Sequence, residues 1–69
     1  MDVIKIGKRI RAARGEQTQE ELARELGVSK AIICMYEAGQ RVPRDEVKER
    51  MAKKFGTTVG ALFFDEMVN

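Results

Sequence analysis

A chain of 69 residues, 43% of them hydrophobic and with a net charge of +2, supports one domain (1–69) with a thin core. One cysteine, Cys34, and no histidine exclude an intramolecular disulfide, a Cys/His zinc site and histidine-based acid–base chemistry. With no glycine-rich phosphate loop and no partnered nucleophile either, no enzymatic activity, metal, cofactor or small-molecule ligand is expected.

The adjacent carboxylates Glu20-Glu21 and Asp45-Glu46 diverge around a helix, and their first-turn placement is explained by compensation of the helix dipole. No signal peptide is visible, nor an apolar run near the roughly 20 residues a bilayer needs, so no membrane association and a cytoplasmic location are expected. The charge is unevenly spread: residues 1–15 carry five basic side chains against one acidic, 16–28 sum to −3, 29–44 to +2 and 45–69 to −1. Such polarity orients a small domain on a polyanion.

In chain order, the spacing of Ile6, Ile10 and Ala13 predicts a first helix from Val3 or Ile4 to Arg14, with Lys5, Lys8, Arg9 and Arg11 over its other sides and Gly15 as its stop. Glu16-Gln17 form a short connection. Thr18 with Glu21 three positions on is a capping box, and it starts a second helix whose Leu22, Ala23 and Leu26 share a side. Gly27 is free to take positive φ, Val28 turns inward, and Ser29 caps a third helix running to about Ala38, with Ile33 and Tyr36 inward and Gly39 as its end. The stretch 18–38 thus reads as two short helices about a tight turn, a helix-turn-helix signature. The basic loop Gln40-Arg41-Val42-Pro43-Arg44 leads to a fourth helix from Arg44 or Asp45 to Phe55, with Val47, Met51, Ala52 and Phe55 inward and Gly56 ending it. Thr57 or Thr58 caps a fifth helix, Val59 to about Phe64. Leu62 and one of Phe63 and Phe64 are expected in the core, since both rings cannot point inward from so short a helix.

The run TQEELARELGVSKAIICMYEAGQRVP resembles the phage repressor and Cro-type helix-turn-helix family, and the likeness extends to IGKRIR at the start and to FG…LF at the end. The resemblance implies an all-α fold, a compact five-helix lambda-repressor-like domain with the helix-turn-helix at its second and third helices. It also implies a sequence-specific double-stranded DNA-binding regulator, a repressor binding a palindromic operator as a homodimer. Placed on the motif's docking geometry, Gln19, Lys30, Ala31 and Met35 face bases. Thr18, Ser29, Gln40, Arg41 and Arg44 face phosphates, with Ile32 and Cys34 at the groove's margins. The family also pairs a basic residue ending its first helix with an acidic one ending its third, which assigns an ion pair to Arg14 and Glu37. The link from Arg14 to Thr18 is one or two residues shorter than the family's commonest spacing.

The face that the resemblance turns toward the bases is unusually apolar: Ala31, Ile32 and Met35 meet thymine methyl groups but make no bidentate hydrogen bonds, which leaves Lys30 as the strong donor. The alternative is a protein-interaction module of the same fold, an antitoxin or anti-repressor partner, using an Ile32/Met35 patch. Phe63, Phe64 and Met67 are the dimer-interface candidates, since exposed aromatics in so small a domain point to a partner surface.

Overall fold

The computed structural model describes residues 2–64. The five helices are α1 (Val3–Arg14), α2 (Gln19–Leu26), α3 (Lys30–Glu37), α4 (Asp45–Phe55) and α5 (Val59–Phe63). The described residues contain no strand.

Four of the five helix starts carry a side-chain cap. Asp2, Thr18, Ser29 and Thr58 all accept a backbone N–H with their side chains, and Thr18 and Glu21 complete the reciprocal capping box. Thr58, not Thr57, is the cap of α5. Arg44 caps α4 without a side-chain bond, and Pro43 lies one residue ahead of it, buried. The helix ends are equally specific. Gly27 stands at φ 72° while its N–H donates to Arg24 O and that of Val28 to Ala23 O. This paired closure lets the chain change direction within the three residues between α2 and α3.

The core consists of Ile6 and Ile10 from α1, Leu22, Ala23 and Leu26 from α2, Ile33 and Tyr36 from α3, Val47 and Met51 from α4, and Leu62 and Phe63 from α5. Five short helices thus each contribute two or three side chains, and α3 sits in the middle with its most extensive contacts to α1 and α2. Helix α1 approaches α3 through Gly7, where a Cβ would lie 2.5 Å from Tyr36 O and 2.7 Å from Glu37 O. Only glycine allows that approach.

The expected stripe on α1 needs one correction: Ala13 is exposed, and the inward position after Ile10 is taken by Arg14, one full i+4 step on. Arg9 is half-buried and its Nη1 donates to Leu62 O at 3.1 Å, which ties α1 to α5. Phe55 and Val28 are half-buried at the margin of the core, not within it.

Of the two neighbouring phenylalanines, Phe63 is 2% exposed and Phe64 50%. Phe63 is therefore corrected from interface candidate to core residue, since a ring enclosed by its own domain has little surface to offer a partner. Met67 lies outside the described residues. Phe64 is partly attended by Lys48, whose Nζ stands 5.1 Å from its ring centroid and 5.6 Å from that of Phe63. Lys48 is itself buried, its stem laid against the core end and its ammonium 3.7 Å from Asp45 Oδ1.

Candidate nucleic-acid interface

Helix α3 divides into two faces. Ile33 and Tyr36 point into the core at 0% and 4% exposure, and the opposite side carries Lys30, Ala31, Cys34 and Met35 to solvent. Of the apolar residues expected on the outer face, Met35 is 40% exposed. Ile32 is half-buried against the core, so the Ile32/Met35 patch is smaller than the sequence suggests. The turn geometry explains the division: once Gly27 reverses the chain and Ser29 Oγ accepts the Ile32 N–H, the phase of α3 is fixed, and Ile33 must face α2.

The far end of α3 is held by charge. Arg14 Nε donates to Glu37 Oε2 at 2.7 Å and its Nη2 to Oε1 at 3.1 Å, a two-pronged pair between side chains only 11% and 8% exposed. The same guanidinium donates through Nη1 to Gln17 O at 2.6 Å. Its bond to Glu37 raises its pKa above the ordinary value. The short link after α1 therefore does not displace Arg14; the guanidinium spans α1, the α1–α2 link and the end of α3. Glu37 Oε1 also accepts from Gln19 Nε2 at 3.0 Å, so the first residue of α2 joins the same carboxylate.

The remaining expected contacts fall in two groups. Thr18 and Ser29 are exposed, but their hydroxyls already serve as helix caps. Gln40, Arg41 and Arg44 are exposed on the α3–α4 loop. Between that loop, the α2–α3 turn and α4 lies a cleft of about 350 Å³ lined by Ser29, Ile32, Tyr36, Arg41, Arg44 and Arg50, among others. Burial pushes the Tyr36 phenol up, while the positive charges of Arg41 and Arg44 act against it.

Arg50 is the residue that reading the sequence does not single out. Its Nη1 donates at 3.0 Å to Leu26 O, a carbonyl left without a partner where α2 ends. The apolar spacing of α4 marks Val47 and Met51 but is silent on the polar side chain between them. The bridge from Lys54 Nζ to Glu25 Oε2 at 2.9 Å, with Gln17 Nε2 donating to the same oxygen at 2.7 Å, likewise joins residues that no local pattern links, because α2 and α4 meet only in the fold. Among the described residues no cluster of side chains could hold a metal ion, and no helix is long and apolar enough to cross a membrane.

A buried-faced α3 set across α2 by a glycine turn, with its outer side free, defines a helix-turn-helix protein. Residues 10–62 match the model of the helix-turn-helix family, and the chain belongs to that family. It is similar to the cryptic phage CTXphi transcriptional repressor RstR of Vibrio cholerae, 36% identical over 63 residues that cover 88% of this chain and 57% of the relative. The chain thus spans little more than half the length of that protein. The solution structure of the SOS-response transcriptional repressor LexA from Eubacterium rectale superposes with a TM-score of 0.85 over 99% of this chain and 74% of the other; at 23% identity the likeness is one of fold.

Proposed function

We propose that the protein is a sequence-specific DNA-binding transcriptional repressor that lays α3 in the major groove of double-stranded DNA. The observation that carries this is the exposed outer face of α3, with Lys30, Ala31 and Met35 in solvent on a helix pinned at both ends. Membership of the helix-turn-helix family and likeness to a phage repressor support it. Helix α2 lies across the backbone, and Arg41, Arg44 and Gln40 of the α3–α4 loop meet phosphates on one flank. Two copies bind a palindromic operator with half-sites about one helical turn apart, and Phe64, 50% exposed, is the ring available to the dimer contact. Repression follows from occupancy, the bound dimer denying the site to polymerase in the cytoplasm of the host cell.

A salt titration on random duplex DNA, followed by selection of sites from a random pool, tests the reading. The expected result is a log K that falls by about 0.9 for each phosphate contact as log salt rises, and a recovered inverted repeat. Absence of binding at low salt by folded protein would overturn it and turn attention to Met35 as a contact for a protein partner. Recovery of a single half-site by a monomer would remove the dimer alone.

A further inference from the structure

The carboxylate of Glu37 serves two elements at once, α1 through Arg14 and α2 through Gln19. Its Oε1 accepts from both Arg14 Nη2, at 3.1 Å, and Gln19 Nε2, at 3.0 Å. A carboxylate paired with an arginine accepts hydrogen bonds and donates none. The Gln19 amide can therefore meet it only through nitrogen; turned over, its oxygen would face a negative charge. The usual ambiguity between the two ends of a glutamine amide is removed by chemistry.

Gln19 is half-buried at the first position of α2, beside the end of α3. With one N–H committed to Glu37, its second N–H and its carbonyl oxygen have no further partner among the described residues. One donor and one acceptor in fixed order complement the adenine edge in the major groove, which offers an acceptor at N7 and a donor at N6. Guanine offers two acceptors there, and a phosphate offers only acceptors, so either would leave the oxygen of Gln19 unmatched. Resting on the DNA-binding reading above, we infer that Gln19 is a specificity-determining residue for adenine, and that Glu37 is the positioning residue that sets its orientation.

The experiment uses the full chain and the duplex recovered by site selection, with each base pair of the half-site replaced in turn. Relative affinities across that panel are compared for the wild type, Gln19→Ala, Glu37→Gln and Arg14→Met. Gln19→Ala is expected to flatten the preference at one A·T pair by roughly 5- to 100-fold and leave the others intact. Glu37→Gln is expected to flatten the same pair, because its amide accepts either end of Gln19. Arg14→Met, which leaves the Glu37 carboxylate able to accept from Gln19, is expected to lower the melting temperature while retaining that preference. If Glu37→Gln does not fold, the double variant Arg14→Met/Glu37→Gln, which strands no charge, takes its place. Equal loss on every duplex for Gln19→Ala would make Gln19 a phosphate contact and overturn the inference. An unchanged A·T preference in the Glu37 variant would remove Glu37 from the positioning role. A selective operator whose preferences ignore Gln19→Ala would sink this inference alone, whereas a folded protein that binds no DNA sinks the functional reading with it.

Discussion

The contact between Gly7 and the last turn of α3 makes a prediction whose sign is contested by two known effects. Replacing an interior helical glycine by alanine gains about 1 kcal/mol from helix propensity. Here the added Cβ would stand 2.5 Å from Tyr36 O and 2.7 Å from Glu37 O, where ordinary contact begins at 3.4 Å. Both obstacles are backbone atoms of a helix already pinned by Ser29 and by Glu37, so neither can swing aside as a side chain would. Helix α1 must back away, which strains the Arg14 to Glu37 pair and loosens Ile6 and Ile10. Overpacking of this kind costs roughly 1 to 3 kcal/mol, and more where backbone must move. We expect Gly7→Ala to be destabilising by about 1 to 2 kcal/mol net, lowering the melting temperature by on the order of 5 to 15 °C in a domain of this size. Ala12→Gly, the reverse exchange at an exposed position of the same helix, should also destabilise, by about 1 kcal/mol and through propensity alone. Thermal melts followed by far-ultraviolet circular dichroism check both. A Gly7→Ala protein as stable as the wild type, or more so, would refute the close helix crossing.

Ile33→Ala empties a fully buried site and should cost about 2 to 5 kcal/mol; an unchanged melt with lost DNA binding would instead place Ile33 on the reading face. Lys30→Ala should relax base preference at a cost of roughly 1 to 3 kcal/mol on the preferred site, whereas Arg41→Ala should weaken every duplex alike and reduce the salt slope by about 1, as competition binding at two salt concentrations would show. Acid should destabilise the fold from a known direction. Thr18, through backbone and hydroxyl, holds Glu21 below the ordinary 4.5, and Lys54 and then Gln17 do the same for Glu25. Folded values below unfolded ones mean the stabilisation is complete above about pH 4.5 and is lost as pH falls through the depressed values. Urea midpoints at about pH 6 and about pH 3 should differ less for Glu21→Gln than for the wild type; an identical drop would deny Glu21 a share.

How far the sequence carried these conclusions differs between local and tertiary features. The capping box at Thr18, the Ser29 cap and the glycine ends are written in adjacent residues and are present in the structure. Ala13 fails because apolar spacing assumes that the inward position is apolar, while here an arginine takes it to reach Glu37. Phe63 and Phe64 are adjacent and chemically identical, so only the packed position of α5 against α1 and α4 separates them. The Gln19 bond to Glu37 spans 18 residues and depends on α3 crossing α2, a geometry no local pattern encodes.

The division of labour on α3 follows from these placements. Its inner residues Ile33 and Tyr36 are buried, its start is fixed by Ser29 and its last residue by Arg14, so stability is drawn from one face and the two ends. Lys30, Ala31 and Met35 take no part in that packing, and changing them costs the fold little. If that face reads DNA as proposed, it can be altered one residue at a time without unfolding a domain that has only a thin core to spare. Gln19 differs from them in that it shares the Glu37 carboxylate with Arg14, so on the proposed reading its readout is tied to a group that also serves the fold.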